Sequence, residues 1–223
     1  MNKIVSLVKR QAGLSVAEFQ RYWQETHAPI AAQLPGLKRY SLSLPLAQGY
    51  RKGELLFDGM SEMWFDSYPA YLGALGSPDA VAMAHDQGNF MDRNATVIMP
   101  VDIHVIKDGA IPADAVKNIE FVNQRPGMDR DAFRHHWREI HGPIASKIEA
   151  VQRYEQNHLS LEEYARDSRP RFDGLAITWF DSTAAMRQGA TTPEYAVTRA
   201  DEPNFLPDGH LPIIITKEVV VIS

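Results

Sequence analysis

The chain has 223 residues, of which 44% are hydrophobic and 23% are charged, an ordinary composition for a soluble globular protein. The net charge of −5 and the lack of a basic run argue against a nucleic-acid partner. The absence of cysteine excludes disulfides, thiolate nucleophiles and cysteine-ligated metal sites. Since no stretch resembles a signal peptide or reaches the roughly 20 apolar residues of a membrane helix, we expect a cytoplasmic protein without a membrane partner.

An internal duplication organises the chain. The segments FQRYWQETHAPIAAQLPGLKRY (19–40) and FRHHWREIHGPIASKIEAVQRY (133–154) share nine of 22 aligned residues at an offset of 114. At an offset of 115, the segments FDG, WFDS and DQGNF, which begin at residues 57, 64 and 86, return as FDG, WFDS and DEPNF. Because rare residues such as Trp and His match in a fixed order, we interpret the chain as a tandem duplication.

Each repeat is predicted to run strand, helix, strand, strand, helix, strand. Strands are indicated by runs of β-branched residues, and helices by apolar residues that recur every three or four positions. The predicted elements of the first repeat cover 3–10, 13–34, 37–44, 57–65, 67–86 and 96–106. The matching strands of the second repeat cover 116–124, 151–160, 172–180 and 211–222, and its second helix covers 182–201. Pro78 and Pro193 are expected to break the second helix of their repeats.

The first helix of each repeat carries recognisable start signals. Ser15 followed by Glu18 forms a capping box, and Asp129 takes the cap position in the second repeat. Pro29 lacks an amide hydrogen and is expected to kink the helix or reshape its last turns.

The element order predicts an α+β fold. It is the order of a ferredoxin-like βαββαβ unit, with two helices on one face of an antiparallel sheet. Two such units would bury their open faces against each other, so we predict two tandem ferredoxin-like repeats packed sheet to sheet as an intramolecular α+β barrel. The predicted boundaries are 1–108 and 116–223, joined by a linker at 109–115 that is rich in Gly, Pro and Asp.

Two histidines are the first candidates for chemistry. His27 and His141 each follow a Trp by four residues on an apolar helix face, where burial favours the neutral imidazole. A neutral imidazole in an apolar pocket can accept a proton near neutral pH. The alternative is a buried structural histidine bonded to carbonyls or a carboxylate, and the sequence leaves both interpretations open.

Further candidates lie on the strands. Tyr40 and Tyr154 begin the second strand of their repeats and could donate a hydrogen bond to an enolate, or pack in the core. Glu62, on the third strand, could orient a histidine or relay a proton, and Ile177 replaces it in the second repeat. Candidate substrate-binding residues are Trp23, Trp64, Trp137, Asn157, His158 and Trp179.

Other polar motifs are expected to be structural. Asp58 and Asp173 precede glycines and are typical of turns, whereas Asp86 and Asp201 are expected to cap backbone groups at a helix exit. The three histidines of HHWREIH (135–141) do not form the pattern of zinc peptidases. His136 and His141 are five residues apart, which on a regular helix points them in different directions, so we expect no metal site.

The segments LSVAEFQRYWQETHAPIAAQLPGLKRY and FDGMSEMWFD resemble the EthD family of the dimeric α+β barrel superfamily. The resemblance extends over nearly all of both repeats. It implies a pocket between helices and sheet, no metal or organic cofactor, and catalytic roles for His27 and His141, Tyr40 and Tyr154, and Glu62. The second repeat lacks the Pro-Gly that precedes Arg39, which puts the activity of its pocket in doubt.

The leading expectation is a cofactor-free enzyme that isomerises, cyclises or eliminates a cyclic or aromatic oxygenated metabolite by proton transfer. The alternatives are a non-catalytic small-molecule-binding accessory protein of a degradative pathway, and a haem-dependent or cofactor-free monooxygenase. The expected partner is a small-molecule substrate. The expected assembly is a monomer with an internal pseudo-dimer, or a homodimer.

Overall fold

The predicted strands and helices are all present in a computed structural model that describes residues 1–166 and 170–223. The strands are β1 Asn2–Val8, β2 Arg39–Pro45, β3 Gly59–Phe65, β4 Val97–Lys107, β5 Val116–Val122, β6 Arg153–Leu159, β7 Gly174–Phe180 and β8 Ile213–Ile222. The α-helices are α1 Val16–Tyr22, α2 Ala28–Ala31, α3 Tyr68–Ala74, α4 Pro78–Gln87, α5 Arg130–His135, α6 Gly142–Ala145, α7 Thr183–Gly189 and α8 Pro193–Asp201. Two π-helical segments, Trp23–His27 and His136–His141, join α1 to α2 and α5 to α6.

The first structural unit comprises Met1–Val101 and Thr216–Ser223. In its sheet β1 pairs antiparallel with β3 and β4, and β2 pairs antiparallel with β3 and with the end of β8. The helices cover the face from which Tyr40 projects. Phe19, Trp23 and Phe90, which follows α4, join Tyr40 in one buried cluster. Residues of this cluster also line the first candidate site.

The second structural unit comprises Asp102–Ile215. Its strand β7 pairs antiparallel with β5 and β6. Phe133, Trp137, Tyr154 and Phe205 form the buried cluster between helices and sheet, at the positions equivalent to those of the first unit. The duplication read from the sequence is therefore also a duplication of the core.

The strands hydrogen-bond in the closed order β1-β3-β2-β8-β5-β7-β6-β4. The predicted fold class, two ferredoxin-like repeats that form an α+β barrel, is confirmed. The boundaries proposed for the repeats and their linker stay a prediction.

Local sequence signals explain where the helices begin. The Ser15 side chain accepts the Glu18 amide hydrogen, and the Glu18 carboxylate accepts the Ser15 amide hydrogen at 2.9 Å, so the predicted capping box is confirmed. Asp129 caps α5 by accepting the Ala132 amide hydrogen at 3.0 Å. The region predicted as one broken helix consists of two, and Pro78 stands in the first turn of the second, where its missing donor costs nothing.

The repeated Phe-Asp-Gly motif has a packing reason. An added Cβ at Gly59 would stand 2.5 Å from the Trp23 ring, and one at Gly174 would stand 2.7 Å from the Trp137 ring. Because these glycines have no Cβ, the tryptophan of the helix can pack directly on the sheet in each repeat. The preceding Asp58 is buried and accepts the Tyr50 hydroxyl at 2.8 Å, a structural role in line with the predicted turn.

Candidate functional site

A π-helical turn positions the first candidate histidine. Trp23–His27 is π-helical, and the Ala28 amide donates to the Trp23 carbonyl five residues earlier. Pro29 follows directly and cannot donate, so the helix is reshaped there rather than ended, as predicted. The wider turn leaves His27 buried at the inner face of the helix.

The ring of His27 is held by a carboxylate. Its Nδ1 lies 2.8 Å from Asp86 Oδ2, while Oδ1 accepts the Tyr22 hydroxyl at 2.6 Å and the Asn89 amide at 3.2 Å. Although burial raises the pKa of Asp86, these hydrogen bonds from Tyr22, His27 and Asn89 together hold it below its usual value. An ionised carboxylate only accepts, so Nδ1 carries the hydrogen and Nε2 keeps its lone pair.

His27 lines a cavity of about 330 Å³ in the first unit, together with Trp23 and Tyr40. The Phe90 ring packs 4.6 Å from the imidazole. Burial lowers the pKa of His27, and the hydrogen bond and charge of Asp86 offset part of that effect. Burial raises the pKa of Tyr40, against a weaker hydrogen bond from Trp23, so its phenol stays protonated. The cavity wall thus presents a neutral base and a hydroxyl donor.

Two of the predicted site residues lie elsewhere. Ser61 and Met63 line the cavity, so Glu62 and Trp64 alternate to the opposite face of β3. There Glu62 forms a buried ion pair with Lys3. Lys3 Nζ also lies 5.2 Å from the centre of the Trp64 ring. The geometry brings His27, Tyr40 and Trp23 together, and leaves Glu62 and Trp64 apart from them.

The second repeat contains a similar but altered arrangement. His141 Nδ1 lies 3.0 Å from Asp201 Oδ2, and Asp201 Oδ1 accepts the Asn204 amide at 2.9 Å. His136 takes the place of Tyr22, and its Nε2 lies 3.0 Å from Asp201 Oδ1. Burial lowers the pKa of His141, and Asp201 offsets part of that effect. His141 and Tyr154 line a second cavity, of about 240 Å³.

The expectation that His136 and His141 point in different directions is wrong. On a regular α-helix residues five apart diverge by roughly 140°. The π-helical segment His136–His141 has more residues in its turn, so both rings reach the same carboxylate of Asp201. The expectation holds only for a regular α-helix.

The remaining predicted binding residues of the second repeat do not share one site. Trp137 Nε1 donates to the Tyr154 hydroxyl at 3.3 Å, and the Trp137 ring stacks 4.3 Å from His158. His158 lines a separate small cavity of about 180 Å³. Trp179 lies 5.1 Å from Lys117 Nζ. The buried Asn157 amide makes no hydrogen bond to the described part of the chain.

Sequence reasoning missed the partner of each histidine. Asp86 and Asp201 were expected to cap backbone groups, but their carboxylates instead accept hydrogen bonds from side chains, His27 and His141 among them. The available signal was the Asp-x₂-Asn-Phe motif, which recurs with the histidine at nearly the same offset. The Phe of this motif also has a role that a capping motif does not explain, because the ring of Phe90 packs against the imidazole of His27.

The lowered pKa of His27 makes a testable prediction. We expect its imidazole to titrate below the value of about 6.5 found in unfolded chains. The stability gained by keeping it neutral is then fully present above that pH and is lost as the pH falls through the folded-state pKa. Two-dimensional ¹⁵N NMR of the histidine rings would measure the titration and the tautomer. Titration of His27 at or above the unfolded value would contradict the prediction.

The described residues contain neither a candidate metal site nor a candidate membrane-spanning helix. No group of three or more His, Cys, Asp or Glu side chains within 1–166 and 170–223 could hold a metal ion. Over the same residues, no helix is long and apolar enough to cross a membrane.

Two solved structures with TM-scores above 0.5 agree with the fold of this chain. An anthrone oxidase-like protein aligns with 100% of this chain and 94% of its own at a TM-score of 0.62 and 8% identity. A mutant chlorite dismutase from Candidatus Nitrospira defluvii aligns over 99% of this chain and 92% of its own, with a TM-score of 0.56 and 10% identity. An EthD family protein from Bacillus halodurans shares 24% identity over 44% of this chain and 95% of its own, at a TM-score of 0.36.

Among curated proteins no match was found. The model of the EthD domain matches this chain twice, over residues 11–94 and 125–208. Both matches contain a histidine, its aspartate partner and the strand tyrosine described above. The chain therefore belongs to the EthD family and carries two EthD domains in tandem.

Proposed function

We propose that the first repeat is the active half of a small-molecule enzyme that moves a proton on a cyclic or aromatic oxygenated metabolite. The reaction is an isomerisation, cyclisation or elimination in catabolism or secondary metabolism. His27 acts as the base and Tyr40 as the hydrogen-bond donor. The observation that carries the proposal is the 2.8 Å contact of His27 Nδ1 with Asp86, at the wall of a cavity.

The proposed step is abstraction of a hydrogen next to a carbonyl. His27 Nε2 takes the proton, the C–H electron pair moves to the carbonyl oxygen, and the Tyr40 hydroxyl donates to the resulting enolate. The imidazolium that forms is stabilised by the carboxylate of Asp86. Return of the proton to another carbon completes an isomerisation. These reaction steps are redox-neutral, so the reaction requires no electron-carrying cofactor.

The size and walls of the cavity support this substrate class. A volume of about 330 Å³ suits a small ligand. Trp23, Phe90 and Met63 line it and favour a flat, largely apolar ring over a charged substrate. Tyr40 supplies a polar group for an oxygen substituent on that ring.

The proposal can be tested without knowing the substrate. Cyclic enones, enol lactones and phenolic ketones are incubated with the protein in D₂O, and NMR detects deuterium beside the carbonyl. We expect the wild-type protein to exchange at least one compound, and His27→Gln to slow that exchange by about 10²- to 10⁴-fold. The matched variant His141→Gln is expected to keep the rate. Equal exchange by wild type and His27→Gln would overturn the proposal.

A binding experiment separates the alternatives. Quenching of tryptophan fluorescence, to which Trp23 contributes from the cavity wall, measures the affinity for the same compounds. An enzyme retains binding in His27→Gln while losing exchange, whereas an accessory binding protein shows only a change in affinity. Consumption of oxygen with a panel compound would instead identify a monooxygenase.

A further inference from the structure

The second cavity differs in chemistry from the first, although the two occupy equivalent places in their repeats. Asn118 and Glu120 on β5 line it, where the first cavity has Ile4 and Ser6. On the helix side it is lined by Arg199 and Glu202, where the equivalent residues of the first cavity are Ala84 and Gln87. Four uncharged or apolar positions have thus become polar or charged, which indicates a different ligand.

Asn118 leaves a buried acceptor at the wall of this cavity. The side chain is 8% exposed, and its Nδ2 donates to Glu120 Oε1 at 3.2 Å. With Nδ2 on Glu120, the other polar atom of the amide is the acceptor oxygen Oδ1. That Oδ1 has no hydrogen bond within the described residues. Leaving a buried carbonyl without a hydrogen bond is energetically costly, so the site favours a ligand that donates a hydrogen bond.

The charged groups point to the same kind of ligand. Arg199 is already engaged, because it lies 2.5 Å from Glu202 and 3.0 Å from His210 Nδ1. Arg187, the other cation at the wall, is exposed to solvent. Glu120 accepts the amide of Asn118, and Arg199, whose charge acts on Glu120, is held by the carboxylate of Glu202. The amide and carboxyl groups at the wall therefore offer acceptors, and the hydroxyl of Tyr154 lies in the same lining.

Burial makes the two carboxyls costly to ionise. Burial raises the pKa of Glu120, against the opposing effects of Asn118 and Arg199. Burial also raises the pKa of Glu202 to about 7, against the charge of Arg199, and the charge of Glu120 raises it further. A cation placed between the carboxyls relieves this cost.

We propose that the second cavity binds a small protonated amine with an apolar body, whose ammonium group donates to Asn118 Oδ1 and to the carboxylates of Glu120 and Glu202. The apolar part packs on Phe180 and Tyr195, which also line the cavity. This inference does not rest on the function proposed for the first repeat, because it concerns other residues and needs no turnover.

The test compares three probes of similar shape and different charge. Calorimetric titration with 2-phenylethylamine, 2-phenylethanol and 3-phenylpropionate measures their affinities at neutral pH. We expect the amine to bind roughly tenfold to a hundredfold more tightly than the alcohol, and the carboxylate to bind weakest. Amide NMR shifts are expected at Asn118 and Thr198, which line the second cavity.

Substitutions locate the binding. Glu120→Gln keeps the side-chain shape and is expected to remove the preference for the amine over the alcohol, as is Glu202→Gln. Asn118→Ile installs the residue of the first cavity and is expected to weaken binding of the amine. Ser6→Ala in the first cavity is the control and should leave the affinity for the amine unchanged. Circular dichroism verifies that each variant is folded. Equal affinity for amine and alcohol, no detectable amine binding, or amine binding unaffected in both Glu variants would overturn the proposal.

Discussion

Replacing Asp86 with Asn is expected to lower proton-transfer activity by about 10²- to 10⁴-fold while the protein stays folded. The amide has the shape of the carboxylate, and its oxygen can still accept from Tyr22 and Asn89, which both donate to Asp86 Oδ1. The amide nitrogen then faces His27 Nδ1 and donates to it. The imidazole is forced into the other tautomer, with its hydrogen on Nε2, and can no longer take a proton there.

The tautomer and the rate can be measured on the same sample. ¹⁵N NMR reports which nitrogen of His27 carries the hydrogen, and deuterium exchange of the panel compound reports the rate. Asp201→Asn makes the matched change in the second repeat and should leave that exchange intact. If Asp86→Asn switches the tautomer and exchange continues at the wild-type rate, His27 Nε2 is not the base.

Much of the fold was predictable because it rests on local and repeated signals. The capping box at Ser15 fixes a helix start by two hydrogen bonds between residues three apart, and such contacts are visible in a sequence. Pro78 marks the start of a further helix for an equally local reason. The duplication then doubles the number of observations that support each element, so the order of strands and helices was secure.

The candidate site was predictable only in part because its contacts span long stretches of chain. His27 and Tyr40 were found, since both belong to the repeated helix and strand segment. Asp86 lies 59 residues from His27, and no local pattern distinguishes a histidine partner from a helix cap. The π-helical turns were also hidden, because their hydrogen bonding depends on packing and not on composition.

Glu62 was predicted to be catalytic, and the outcome of removing it separates that role from a structural one. Its side chain forms an ion pair with Lys3, and both side chains are buried. Removing one partner of such a buried ion pair costs about 3–5 kcal/mol. We therefore expect Glu62→Leu to lower the free energy of unfolding by about that amount, measured by urea denaturation at neutral pH.

The double variant Lys3→Met/Glu62→Leu removes both charges and keeps the volume filled, so it is expected to recover most of that loss. Glu54→Gln is the matched control, because the exposed Glu54 side chain pairs with Arg10 at 2.7 Å and its removal should change the free energy of unfolding far less. A folded double variant can also be assayed for deuterium exchange. Retained exchange means that Glu62 has only a structural role in the sheet. Loss of exchange in a stable double variant would show that Glu62 takes part in proton transfer, despite its place on the opposite face of β3.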